Sequence, residues 1–273
     1  MKDFIQKNKL FSLYSALMLL IIFIAIFAPH LAPGDAFNSN MADALKAPSS
    51  EHWFGTDKLG RDVLSRIVYG TQLSLFMGFT IVITMVLIGT IIGAVAGYFG
   101  GFIEVVLMRI TDIVLSFPGI ILAIAIAGIL GGSIANTILS LTIVGWAKYA
   151  RIVRSLTLKV RQEEFVTASI MMGASTWTIL RRHIIPNIMP LIVTTGALDL
   201  GVMMIEVAGL SFLGFGAQPP TPEWGLMLNE GRQYLQLAPW LMIFPGASIL
   251  IVVSIFNLWS DALRDVVDPK NEG

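Results

Sequence analysis

The most informative part of this chain is a polar segment, Gln162–Pro186, which reads QEEFVTASIMMGASTWTILRRHIIP. The helical pattern before Gly173 should end there, because glycine readily adopts the left-handed conformation that closes a helix. Ser175 can then cap a second short helix, Thr176–Ile184, by accepting a hydrogen bond from a free backbone N–H group. Pro186 disfavours helix at the residue before it and predicts a turn. The segment therefore predicts two short helices, a tight turn and an outward apolar stripe.

Two uses of this segment remain open from its pattern alone. Its apolar stripe can seat in a groove on a soluble partner protein. Alternatively, it is an interfacial loop whose Lys and Arg side chains only fix the topology and contact anionic lipid.

The composition places most of the chain in lipid. Of its 273 residues, 55% are hydrophobic and 13% are charged, whereas a soluble domain carries about 25% charged residues. The formal net charge is zero, so no general electrostatic field favours nucleic acid. The absence of cysteine excludes disulfides and thiolate metal sites.

Hydrophobic runs predict an all-α, polytopic integral membrane protein with six membrane-spanning helices. A span needs about 20 mostly apolar residues. The fourth run, Ile134–Ala147, is shorter than this. The first run is longer than the apolar core of a cleaved signal peptide. The predicted spans are Phe11–Ala28, Leu73–Gly97, Ile103–Leu130, Ile134–Ala147, Ile188–Leu213 and Leu241–Trp259.

The distribution of Lys and Arg predicts the orientation of the chain. With the N-terminus inside, twelve of these residues fall in inside segments and five in outside segments. Both termini and the insert 148–187 are therefore expected in the cytoplasm. The predicted divisions are 1–72 (tail, first helix and external loop), 73–260 (core permease domain with the insert) and 261–273 (cytoplasmic tail).

The polar segment resembles the EAA loop of ABC importer permeases. That loop reads Glu-Ala-Ala, three residues, Gly, nine residues and Ile-x-Leu-Pro. Ala168, Gly173 and Pro186 match the pattern. Four positions depart from it: Thr167, Ser169, His183 and Ile185. The resemblance implies that ATPase coupling involves Glu163, Glu164, Thr167, Ala168, Ser169, Gly173, Ala174 and Pro186, with Glu163 or Glu164 replacing the missing glutamate.

Further motifs resemble the dipeptide/oligopeptide/nickel branch of these permeases and cover nearly the whole chain. They are Trp53–Asp57 with Gly60–Asp62, Ser211–Gly214, Pro219–Gly225 (PPTPEWG) and Asp261–Pro269 (DALRDVVDP). Within the branch, the chain looks like the second (C-type) permease subunit. The nickel subgroup is favoured by Trp146-x-x-Tyr149-Ala150-Arg151, Arg161-Gln162-x-Glu164-Phe165-Val166 and Val207-Ala208-Gly209.

This resemblance implies a type I, MetI-like fold in a bacterial or archaeal plasma membrane. It implies a heterodimer with a paralogous second permease subunit, two ATP-binding subunits docked on the EAA loops and an external substrate-binding protein. The expected cargo is nickel or a metal chelate, or alternatively a dipeptide or oligopeptide. No cofactor is expected.

Motifs for chemistry are missing from the sequence. Gly55–Asp62 (GTDKLGRD) approaches a phosphate-binding loop, but Arg61 and Asp62 stand where Lys and Ser/Thr are needed. ATP hydrolysis is therefore assigned to separate chains, and the charges of this segment, with Arg66, are interpreted as a surface network. None of the three histidines has a neighbour at metal-ligand spacing.

Charged residues within spans are candidates for a functional role, because placing their side chains in lipid costs free energy. Asp199 and Glu206 are two turns apart on one helix face and can line the translocation pathway; alternatively they hydrogen-bond the paired permease. They are also the coupling sites that an ion-gradient-driven secondary transporter would use. Arg109 and Asp112 are three residues apart and are expected to pair.

Small and aromatic residues give two further interpretations. Gly89, Gly93 and Gly97 form a smooth face for helix packing, within the chain or in a dimer. Glu223 and Trp224 either contact the binding protein or gate the entrance; alternatively they belong to a proline-stiffened loop with Trp at the membrane interface.

Overall fold

The structure, a computed structural model, describes residues 8–267. The predicted tail 261–273 thus lies partly outside the described residues. Helices account for the regular structure of the described part. They are α1 Lys9–Ile26, α2 Ala28–Leu31, α3 Val63–Phe99, α4 Gly101–Leu115, α5 Gly119–Leu130, α6 Ile134–Arg161, α7 Glu164–Met171, α8 Thr176–Ile179, α9 Ile185–Phe212, α10 Trp224–Gly231 and α11 Trp240–Val267.

Four helical stretches between residues 8 and 267 are long and apolar enough to cross a membrane: Lys9–Ile26, Val63–Phe99, Thr176–Phe212 and Trp240–Val266. The predicted third span is not one continuous helix, because α4 and α5 meet at an angle of 87°. Pro118 lies in this break; it has no N–H to donate, and it disfavours helix at Phe117. Counted as one span, the bent pair brings the number to five rather than the predicted six.

The predicted fourth span, Ile134–Ala147, is the first half of α6. This helix continues to Arg161. It is not apolar enough to count among the four stretches above, because its second half is charged and its first half contains polar Asn136, Thr137 and Ser140.

The described residues form two compact units. The first contains those of Met1–Thr80, Ala127–Ile138 and Ala197–Gly273; the second contains Ile81–Ile126 and Leu139–Gly196. Within the first unit, α1 packs along α11, and the Trp259 Nε1–H donates to Ser15 Oγ over 3.1 Å.

A buried cluster of four charged side chains, not the predicted surface network, joins the loop before α3 to α3 itself and to α10 within the first unit. Arg61 and Arg66 are each 1% exposed. Both guanidiniums donate to Asp57 Oδ2, and Arg66 also donates to Glu230 Oε2 over 2.9 Å. Two arginines and two carboxylates balance in charge, which is the condition under which such groups tolerate burial. Asp62 is also buried, and it accepts from the backbone N–H and the hydroxyl of Ser65 in the first turn of α3.

Glu223 and Trp224 are buried as well, so neither is presented to a partner by the described chain. Glu223 caps α10 by accepting from the backbone N–H groups of Gly225 and Leu226. Burial raises the pKa of the Glu223 carboxyl. The Trp224 indole donates to the Ile67 carbonyl over 3.1 Å. The PPTPEWG segment therefore holds α10 against the first turns of α3.

In the second unit, α3 and α6 pack closely through the three predicted glycines. A Cβ on Gly89 would lie 2.4 Å from Tyr149 Cβ, and one on Gly93 would lie 2.5 Å from the Ala150 carbonyl oxygen. A Cβ on Gly97 would lie 2.8 Å from the Arg154 carbonyl oxygen. The glycine face of α3 therefore packs against α6 of the same chain, which is the first of the two predicted alternatives.

Candidate coupling site

The segment Gln162–Pro186, hereafter the elbow, is anchored by a buried apolar core in the second unit. Val166 of α7 and Ile179 of α8 share this core with Val153 of α6 and Ile188 of α9. Fully burying such aliphatic side chains contributes about 1.5–3 kcal/mol each. The inner side of the elbow is therefore fixed to the two long helices that flank it.

The turn between α7 and α8 has the geometry predicted from Gly173 and Ser175. Gly173 has a φ of +81°, in the left-handed region, and the Ala174 N–H donates to the Ser169 carbonyl over 3.1 Å. The Ser175 hydroxyl accepts from the Thr178 N–H over 3.3 Å and so caps α8. Both bonds satisfy backbone groups that a helix end leaves free.

The predicted turn at Pro186 is wrong. After α8 the chain makes a π-helical turn, Leu180–Ile184, and continues directly into α9. Pro186 is the second residue of α9 and follows directly on this wider turn; a proline in the first turn of a helix is tolerated because its missing N–H would have no intrahelical partner there. The second arm of the elbow is therefore continuous with a 37-residue helical stretch, Thr176–Phe212.

The outer side of the elbow exposes large apolar side chains. Met171 and Met172 are each 82% exposed, and Trp177 is 67% exposed. An open groove of about 420 Å³ is lined by Trp177, Thr178, Arg181 and Arg182. At the opposite end of the segment, Glu163 and Glu164 are exposed at the N-terminus of α7. The positive end of the helix dipole stabilises negative charge there. The outer side is thus apolar at its centre, acidic at one end and basic at the other.

The predicted coupling residues fall on both sides of the elbow. Most are exposed: Glu163, Glu164, Thr167, Ala168, Gly173 and Pro186. Ser169 is buried, and Ala174 packs against the apolar core. The sequence predicts an apolar stripe on the elbow but does not indicate which of its residues are most exposed. The only sequence signal for Met171 and Met172 is their position just before Gly173, the glycine that ends the helix.

Two departures from the EAA pattern contact each other. The Ser169 hydroxyl is 3.2 Å from His183 Nε2, and the Phe165 ring lies 5.9 Å from the His183 ring, centroid to centroid. The bond joins α7 to the π-helical turn across the elbow. A polar residue at one position is therefore matched by a polar residue at the other.

The charged residues predicted to lie within spans differ in their burial and in their ion-pair partners. Asp199 is buried and Glu206 is partly exposed, both on α9. The predicted pairing of Asp112 with Arg109 is replaced by a pair with Arg151, at 2.7 Å. Arg154 of the same helix binds Glu104.

The elbow consists of two short helices with an exposed apolar face, and such a face can seat in a groove on another protein. Exposed apolar patches of this kind mark interaction sites.

Comparisons with known proteins identify the class. Residues 89–273 match the family of binding-protein-dependent transport system inner membrane components. The chain is 46% identical over 97% of its length to a dipeptide transport system permease protein DppC of Alkalihalophilus pseudofirmus, covering 88% of that protein. It is also 46% identical over 93% of its length to a glutathione transport system permease protein GsiD of Pectobacterium atrosepticum, covering 84% of that protein.

The fold is similar to that of the inward-facing MetNI methionine ABC transporter, with a TM-score of 0.60 at 22% identity. This match covers 74% of the chain and 96% of the solved chain. The chain belongs to the binding-protein-dependent transport system inner membrane component family. It is a multi-pass ABC importer permease subunit of the cell membrane, and it is non-catalytic, since ATP is hydrolysed by a separate subunit. Permeases of this class work with ATP-binding subunits and a substrate-binding protein.

Proposed function

We propose that this chain is one half of the transmembrane pathway of an ATP-driven importer for short peptides, and that ATP-binding subunits drive it through the elbow. One observation carries the proposal. The inner side of the elbow belongs to a buried core, whereas its outer side exposes Met171, Met172 and Trp177. A projection held on one side and apolar on the other transmits the movement of a docked partner to α6 and α9.

The outer side specifies the chemistry of the surface that receives it. An apolar groove should accept the methionines, because the flexible thioether side chain adapts to irregular surfaces. Acidic residues on the partner should face Arg181 and Arg182, which are exposed beside Trp177. The balance of Lys and Arg supports a cytoplasmic elbow and cytoplasmic termini.

A short peptide is the cargo that the similarities favour. The relatives are named for dipeptide and glutathione transport, and the nickel cargo favoured by the sequence motifs has no support among them. Dipeptides and glutathione carry an amino group that is largely protonated at neutral pH. Asp199 and Glu206 on α9 are the proposed acidic residues of the pathway, where their carboxyl groups could receive the ammonium group of the cargo.

The second half of the pathway is proposed to be a related permease subunit. The similarity to C-type subunits of peptide transport systems supports a heterodimer. An ion-gradient-driven transporter has no support in these comparisons.

Docking is tested by placing a charge on the outer side of the elbow. Met172→Asp should prevent the ATP-binding subunits from copurifying with the permease, because the carboxylate would have to be desolvated in an apolar groove. Met41→Asp is the matched control, since Met41 is 68% exposed but lies in the first interhelical loop. Equal recovery of ATP-binding subunits with both variants would contradict the proposal.

Cargo is tested by uptake into proteoliposomes that contain the complete transporter and its binding protein. Dipeptides or glutathione should be taken up in a vanadate-sensitive manner, and Ni²⁺ should not compete. Asp199→Asn and Glu206→Gln should lower uptake while assembly stays normal. Uptake of Ni²⁺ alone, or uptake that follows an ion gradient without ATP, would overturn the assignment.

A further inference from the structure

Helix α4 lies between two breaks in the helical backbone. At its start, Gly100 and Gly101, the first residue of α4, have φ values of +68° and +55°. After it, the chain breaks at Ser116–Pro118 and turns by 87° into α5. Hinges in proteins are a few residues at element ends that absorb changes in φ and ψ. Both ends of α4 have this character.

Apolar packing within the described chain holds α4 only weakly. Of its 15 residues, Thr111 alone is buried. The apolar side chains of Phe102, Val105 and Ile113 are all more than half exposed. The apolar burial that holds α4 against the rest of the described chain is therefore small.

Two ion pairs join α4 to α6 on one open cavity of about 510 Å³. Arg154 directs both Nε and a terminal nitrogen at Glu104 Oε1, with the Nε distance at 2.7 Å, and the two side chains are 36% and 20% exposed. Arg151 binds Asp112 at 2.7 Å, and these side chains are 56% and 54% exposed. The first pair is the less exposed and has two donors, so it is the stronger of the two.

Helix α6 is the arm that enters the elbow. It ends at Arg161, and α7 begins at Glu164. Val153, adjacent to Arg154, lies in the same buried core as Val166 and Ile179 of the elbow. Movement of the elbow is therefore shared by the part of α6 that carries the two arginines.

We propose that Arg154, assisted by Arg151, is a positioning residue of the transport cycle: through Glu104 and Asp112 it makes α4 follow the elbow. This inference rests on the proposed function of the elbow. Without the pairs, a docked motor would still move α6, but α4 would bend at its glycine and proline ends and lag behind. ATP would then be hydrolysed with less transport.

The test is the number of substrate molecules imported per ATP hydrolysed by the complete transporter in proteoliposomes. Arg154→Glu and Glu104→Arg should each lower this ratio about two- to fivefold, the range that the loss of an ion pair of up to about 1 kcal/mol supports. The double reversal, Arg154→Glu with Glu104→Arg, should restore it. Lys159→Glu is the control, because it makes the same charge change at an exposed position of α6.

A second readout reports on α4 directly. The chain has no cysteine, so purified permease that carries Phe102→Cys and Ser155→Cys is spin-labelled at these two positions alone before it is assembled with its partner subunits. Their separation should stay constant between ATP-bound and nucleotide-free transporter, and should change with nucleotide in the Arg154→Glu background. If the single reversals hinder assembly, Glu104→Gln removes the charge at nearly constant shape and takes their place.

The outcomes separate the two proposals. If the wild-type chain fails to bind ATP-binding subunits, the function of the elbow is wrong. If the wild type is coupled and the single variants import as much per ATP as Lys159→Glu, the role of Arg154 is wrong. A double reversal that fails to rescue the ratio also contradicts it.

Discussion

Replacing Gly93 by alanine tests the packing that supports the elbow. A Cβ there would lie 2.5 Å from the Ala150 carbonyl oxygen and 2.7 Å from Val153 Cβ. Ordinary contact with the added Cβ begins at 3.4 Å, so α3 and α6 must move apart by about 0.9 Å to relieve the 2.5 Å approach. Overpacking of this kind costs about 1–3 kcal/mol, and alanine returns about 0.5–1 kcal/mol because it is the better helix former.

The matched control is Gly209→Ala in α9, where an added Cβ would meet nothing within 4 Å. Both variants share the gain in helix propensity, so their difference isolates the packing cost of about 1–3 kcal/mol. The assay is thermal unfolding of the detergent-purified chain, followed by tryptophan emission. At about 2–4 °C per kcal/mol for a chain of this size class, Gly93→Ala should unfold several degrees below Gly209→Ala. Equal midpoints would refute the close packing of α3 on α6.

Three further predictions use the same unfolding assay. Glu230→Gln should destabilise the chain by about 3–5 kcal/mol, because it leaves buried guanidinium charge uncompensated; exposed Glu51→Gln should have no effect, and an equal change in both would contradict the buried cluster. Ser169→Ala should cost about 0.5–1.5 kcal/mol through the bond to His183, and adding His183→Leu should recover most of it if the two departures compensate. Burial raises the pKa of Glu223, so the native state holds its proton to higher pH than the unfolded chain. Its contribution to stability is therefore full below the ordinary value of 4.5 and is lost as the pH rises through the raised pKa; Glu223→Gln should flatten this dependence, and an unchanged pH profile would contradict it.

The elbow was predictable because its signals are local. Gly173 and Ser175 act within a few residues of themselves, and a left-handed glycine followed by a capping serine fixes the turn from sequence alone. The burial of the charge cluster could not be predicted from the sequence, because Arg61 and Arg66 pair with Glu230, which lies 164 residues beyond Arg66. Sequence spacing carries no information about such a partner.

Two predictions are wrong for different physical reasons. Asp112 was assigned to Arg109 by helical spacing, whereas its partner is Arg151 on α6. Pro186 was expected to turn the chain, but a π-helical turn before it lets the helix continue. A contact with another helix determined the partner of Asp112, whereas the backbone conformation just before Pro186 determined that the helix continues.

The ATP-binding subunit is proposed to dock on the elbow, and site-specific cross-linking detects that contact. Because the chain has no cysteine, Met172→Cys gives a single reactive position on the outer side of the elbow, with Met41→Cys as the control. In the assembled transporter, a thiol-to-amine cross-linker at position 172 should join the permease to an ATP-binding subunit, and position 41 should not. Absence of that product from an intact, ATP-hydrolysing complex, or labelling of position 172 in intact cells by a membrane-impermeant thiol reagent, would contradict the account.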